Sequence, residues 1–132
     1  MIKGFDHFTI TVSDMERSIE FYRDLLGLEV LGKLVKEKGV FVYLKLGEGM
    51  LEIFEFDKKG KDYQQKELED IGIQHLGMTV ADVDTVTKKL KKAGVNFLVE
   101  PRSVDGVRLA FFEDPDGINI EIMQGELDLI PY

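Results

Sequence analysis

Cysteine is absent from these 132 residues, which excludes a disulfide framework, a thiol nucleophile and any thiolate-held metal. Positive charge is scarce: 17 Lys and Arg stand against 25 Asp and Glu, a net charge of −8. Nucleic acid and anionic membrane surfaces are therefore not expected partners. No apolar run approaches the ~18 residues of a membrane span, and the amino terminus lacks a secretory pattern, so the expectation is a soluble cytoplasmic protein. There is no phosphate-cradling glycine loop and no histidine to spare for a Ser/His/Asp set, so nucleotide and nucleophilic chemistry are not expected either.

Histidine is nearly absent too, and the two that exist carry the message. His7 and His75 each open a strand-like run, Asp6-His7-Phe8-Thr9-Ile10-Thr11-Val12 and Gln74-His75-Leu76-Gly77-Met78-Thr79-Val80. Each run is followed by an amphipathic helix, further strands and a last strand bearing a glutamate, Leu51-Glu52-Ile53 and Ile120-Glu121-Ile122. The offsets are 75 − 7 = 68 for the histidines and 121 − 52 = 69 for the glutamates. A tandem duplication that keeps two imidazoles and two carboxylates in register reads as one four-ligand metal site.

The periodicities fill in the rest. A strand at 5–12 places Phe8, Ile10 and Val12 on one face and His7, Thr9 and Thr11 on the other. Ser13 with Glu16 forms a capping box that starts a helix running to about Leu26, with Met15, Ile19, Tyr22 and Leu26 inward and Gly27 as its stop. Strands follow near 28–36, 39–46 and 50–56. A polar linker at about 58–71, with one helical turn near 64–69, leads to the second copy. That copy has a strand at 73–80, a helix at 82–93 burying Val83, Val86, Leu90 and Ala93, and strands near 96–100, 107–113 and 118–123. Asp114-Pro115-Asp116-Gly117 is a type I turn joining the last two as a hairpin. The fold class is α+β, two tandem β-α-β-β-β modules in a single domain over 1–132. Module one spans about 1–57, module two about 72–124, and a tail covers 125–132.

Strand alternation sets the wholly apolar face under the helices and aims His7, Glu52, His75 and Glu121 at the opposite face. The same rule sets Phe41, Tyr43, Phe54, Phe56, Arg108 and Phe112 beside them as a substrate cleft. Two imidazoles and two carboxylates without sulfur suit Ni²⁺, Co²⁺, Mn²⁺, Fe²⁺ or Zn²⁺. Such an ion polarises a substrate carbonyl, and Glu52 or Glu121 serves as the base. The expected chemistry is proton transfer at a carbon next to a carbonyl, on a small-molecule substrate.

With these residues in view, the chain resembles the vicinal oxygen chelate superfamily over nearly its whole length. The resemblance rests on the paired modules, on Met15-Glu16-Arg17-Ser18-Ile19-Glu20-Phe21-Tyr22 leading to Leu26-Gly27-Leu28, and on the stretch from Phe112 to Glu121. In its His/Glu/His/Glu order it is similar to glyoxalase I, a lyase that isomerises the hemithioacetal of methylglyoxal and glutathione. The resemblance implies half-barrel sheets around a metal cleft, His7, Glu52, His75 and Glu121 as ligands, and Glu52 and Glu121 as proton carriers. It also implies Ni²⁺ or Co²⁺, and a homodimer whose sites combine module one of one chain with module two of the other.

The departures from glyoxalase I fall where the substrate is held. The arginine by which glyoxalase I grips the glutathione carboxylate aligns with Thr11, and the asparagine that follows its first metal-binding glutamate by four residues aligns with Phe56. The chemistry is thus expected to persist on a substrate that is not strictly a glutathione adduct. Arg102 and Arg108, in or beside the loop of the second module, are the cations best placed to hold an acidic substrate, with surface solvation the main role of Arg102. The alternatives within the same fold are an epimerase of the methylmalonyl-CoA type, a ring-cleaving dioxygenase, a resistance thiol transferase, and a metal-free protein that sequesters a drug-like ligand.

Overall fold

A computed structural model describes all of residues 1–132. The chain divides into two compact units, Met1–Asp62 and Tyr63–Tyr132, each built on a four-stranded mixed sheet. No helix is long and apolar enough to cross a membrane.

In the first unit β1 (His7–Thr11) leads into α1 (Met15–Ile19), and β2 (Val30–Lys36), β3 (Gly39–Leu46) and β4 (Gly49–Phe56) complete the sheet. The strand order is β1-β4-β3-β2. β1 runs parallel to β4, and the other neighbours are antiparallel. A parallel pair needs a crossover, and the helix between β1 and β2 supplies it. Ile10 pairs with Ile53 and Phe8 with Leu51, so the apolar set of both strands shares one face. Ile53 and Leu51 are completely buried.

The helix differs from the sequence expectation at both ends. Its N-cap is Asp14, not Ser13: the Asp14 carboxylate accepts from Arg17 N–H at 3.1 Å. A carboxylate is at least as good a cap as a hydroxyl and also complements the dipole. After Ile19 the winding loosens into a π-helical segment, Glu20–Leu25, in which Leu26 N–H bonds to Phe21 C=O at 2.9 Å. The wider turn rotates the later residues out of 3.6-residue phase. Ser18, Phe21 and Tyr22 are the buried positions, while Met15, Ile19 and Leu26 are half-exposed.

The second unit repeats the plan: β5 (Leu76–Thr79), α2 (Val83–Lys92), β6 (Phe97–Val104), β7 (Val107–Glu113) and β8 (Asn119–Gly125), in the order β5-β8-β7-β6. β5 starts three residues later than expected, so His75 lies just before the strand rather than within it. Asp82 caps α2 by accepting from Thr85 N–H at 3.1 Å, and Val83, Thr87 and Leu90 form its buried stripe, in place of Val86 and Ala93. The anticipated turn after β7 is present: Gly117 N–H bonds to Asp114 C=O at 2.9 Å, and the Asp114 carboxylate accepts from Asp116 and Ile118 N–H. Between β4 and β5 the chain carries no regular element. The helical turn expected near 64–69 reduces to a single bond from Asp70 N–H to Glu67 C=O.

One repeat-related contact ties each helix start to its sheet. Glu55, on β4, accepts from Met15 N–H at 2.6 Å. Gln124, on β8, accepts from Val83 N–H at 2.5 Å. In both units a side chain at the end of the last strand satisfies an orphan donor of the helix's first turn.

Candidate metal centre

Within the first unit, β1 and β4 bring His7 and Glu52 together, with His7 Nε2 3.4 Å from Glu52 Oε2. His7 opens β1, and Thr9, two residues on, is the register partner of Glu52. The Thr9 hydroxyl donates to Glu52 Oε2 at 2.6 Å. On its other side His7 Nδ1 lies 2.6 Å from Asp6 Oδ2. That hydrogen bond, opposed by partial burial and helped by the charge of Glu52, raises the His7 pKa above 6.5. When the imidazole is neutral, the Asp6 contact keeps the proton on Nδ1 and leaves the Nε2 lone pair facing Glu52, the tautomer a cation needs.

Within the second unit, His75 Nε2 lies 3.0 Å from Glu121 Oε2. Glu121 is 6% exposed, and its register partner on β5 is Gly77, which has no hydroxyl to offer. The His75 ring stands edge-on to Phe111 at 5.0 Å and 90°. Each unit thus holds one imidazole nitrogen and one carboxylate oxygen at the spacing of adjacent ligands of a single ion. Neither unit alone contains a group of three or more ligating side chains. The donors fit a divalent cation: nitrogen and oxygen only, one histidine oriented by a carboxylate, and both glutamates partly or wholly withdrawn from water.

The aromatic expectation separates by unit. Tyr43 is the register partner of Glu52, Phe41 of Phe54, and Gly39 of Phe56, so all four predicted aromatics of the first unit share the Glu52 face. Phe41 and Phe54 stack with centroids 3.9 Å apart, and Phe56 stands edge-on to Phe41 at 5.6 Å. In the second unit two residues lie elsewhere. Phe112 is fully buried, pairs with Ile120 and packs on Phe97 at 5.4 Å, on the side under α2. Arg108 pairs in register with Gln124, and its guanidinium makes two bonds to Asp84 of α2, at 2.5 and 2.7 Å. Both point to the helix side because partners across a ladder share a face, and Ile120 and Gln124 alternate away from Glu121. The aromatic on the Glu121 face is Phe111, Glu121's own partner. The repeat itself points to it, since 43 + 68 = 111 carries Tyr43 onto Phe111. Thr9 and Asp6 are the other contributors that counting ligands did not single out. Arg102 is exposed, as expected.

The sequence pattern of the glyoxalase/bleomycin resistance protein/dioxygenase superfamily matches residues 4–122. The chain belongs to this superfamily. Among its relatives, the metallothiol transferase FosB of Staphylococcus haemolyticus is 33% identical, over 97% of this chain and 88% of its own. An uncharacterised protein, YwkD of Bacillus subtilis, is 31% identical over 94% and 98%. Among solved structures, the trypanothione-dependent glyoxalase I of Leishmania major is 30% identical, with a TM-score of 0.75 over 93% of this chain and 87% of its own. The superfamily therefore includes both lyases and thiol transferases, and its members are typically dependent on a divalent metal and act on small molecules. The two mixed sheets with few helices are the fold of these structural neighbours.

Proposed function

We propose that this chain is a divalent-metal-dependent lyase or isomerase of the glyoxalase I kind, with His7, Glu52, His75 and Glu121 as the ligands. The observation that carries this reading is the repeated pair, an imidazole Nε2 and a glutamate Oε2 at 3.4 Å in one unit and 3.0 Å in the other. Since each unit offers two ligands, we infer that one half-site of each kind completes the shell, contributed by two chains of a cytoplasmic homodimer. On this reading 1–132 acts as one functional domain. The resemblance to glyoxalase I favours Ni²⁺ or Co²⁺, and the sulfur-free set also suits Zn²⁺, Mn²⁺ or Fe²⁺.

Bound there, the ion supplies Lewis-acid polarisation of the substrate carbonyl. The chain's own residues do the rest. A carboxylate, Glu121 or Glu52, would take the proton from the carbon bearing the hydroxyl and return it to the neighbouring carbonyl carbon, while the hydroxyl proton passes to the former carbonyl oxygen, so the substrate's atoms are conserved. Glu52 is held by the Thr9 hydroxyl, whereas Gly77 leaves Glu121 without such a bond; Glu121 is the freer of the two to carry a proton.

The resemblance to FosB favours a second reading, transfer of a thiol to an electrophilic carbon. The two separate in one experiment. The metal-loaded protein is offered hemithioacetals of several thiols, and thioester formation is followed. The lyase reading expects turnover that falls by at least ~10²-fold in Glu121→Gln. Turnover unchanged in that variant contradicts it.

A further inference from the structure

We infer that the substrate carries an aromatic ring directly attached to its chelating or reacting carbon, and that Phe41, Phe54 and Phe56 receive it. The inference rests on the metal-centre reading above and deepens it. The registers place two adjacent rows across the first unit's sheet. One row is Thr9–Glu52–Tyr43–Gly32, and the next is Thr11–Phe54–Phe41–Leu34. The first holds the ligand; the second, two residues further along each strand or about 7 Å away, contains no charged side chain. That spacing is about one ring beyond a carbon seated at Glu52.

The geometry of the second row is that of a ring-binding wall. Phe41 and Phe54 stack at 3.9 Å with 29° between planes, and Phe56 meets Phe54 at 6.1 Å and 86°. All three are half-exposed rather than buried, so they retain free ring surface. Two stacked rings and a third set edge-on offer a further ring both stacking and edge contacts. A peptide-like substrate with a charged end would find no cation in this row to hold its carboxylate.

The test needs no turnover. Acetohydroxamate and benzohydroxamate are bidentate oxygen chelators that differ by a methyl group against a phenyl ring. Their affinities for the Ni²⁺-loaded protein are compared by isothermal titration in wild type, Phe54→Ala and Phe54→Leu. The leucine variant keeps an apolar side chain of similar bulk in case the alanine variant fails to fold. The expected result is a preference of about tenfold or more for benzohydroxamate in wild type, falling toward that of free Ni²⁺ in both variants. A preference unchanged by either substitution assigns the three rings to packing or to a protein contact and overturns the inference. Binding of neither chelator overturns the metal-centre reading, and the inference with it.

Discussion

Thr9 donates its hydroxyl proton to Glu52 Oε2 at 2.6 Å, while the residue 68 positions later, Gly77, faces Glu121 with no side chain at all. The duplicated half-sites are therefore unequal, one glutamate held by a hydroxyl from the neighbouring strand and the other facing a glycine there. Thr9→Ala is expected to weaken divalent-metal binding by about tenfold or more, the usual effect of removing a bond that orients a ligand. Competition against a chromophoric chelator measures it. Unchanged affinity would mean that the Thr9 bond has no part in holding the ion.

Phe112 and Phe111 are neighbours with opposite duties. Phe112→Ala is expected to cost about 3–5 kcal/mol of stability, because it empties a fully buried position. Phe111→Ala removes a half-exposed ring beside His75 and is expected to cost less stability while weakening ligand binding at the site. Urea denaturation, paired with chelator titration, separates the two effects.

Arg108 is committed to Asp84 through two short bonds, on the α2 side of its sheet. Arg108→Ala is expected to leave hydroxamate affinity unchanged within about twofold. A larger loss would return the guanidinium to the substrate site.

The two helix-start contacts make a prediction about pH. Lys59, together with Met15 N–H, holds the Glu55 carboxyl below its ordinary value of 4.5. A depressed folded-state pKa contributes stability that is fully present above 4.5 and is lost as pH falls through the folded value. Glu55 is one-third exposed, so solvent screens much of this. Gln124 shows that an amide oxygen accepts the equivalent N–H. Glu55→Gln is thus expected to cost under about 1 kcal/mol at neutral pH and to flatten the decline in stability on acidification below 4.5. Denaturation followed across that pH range reads both.

How much of this was legible in the sequence depends on which periodicity was at stake. β3 and β7 occupy 39–46 and 107–113, as expected, because glycine turns bracket apolar β-formers. The first helix was legible in existence but not in phase, since nothing in its composition marks the change from α to π winding. Within β7, Val107, Leu109, Ala110 and Phe112 are buried on both faces, so alternation there carries no parity signal. Phe112 was set on the wrong side for that reason. The repeat offset, which does carry parity, identifies Phe111. The Asp6 and Thr9 bonds depend on side-chain placement that no spacing encodes.

Metal content after exhaustive dialysis reads whether His7, Glu52, His75 and Glu121 hold one divalent ion. The expected result is about one ion per chain in wild type and none in a folded His75→Ala variant. A wild-type protein that stays empty after incubation with Ni²⁺, Co²⁺, Mn²⁺, Fe²⁺ and Zn²⁺ in turn, or a His75→Ala variant that keeps its full complement, contradicts the account.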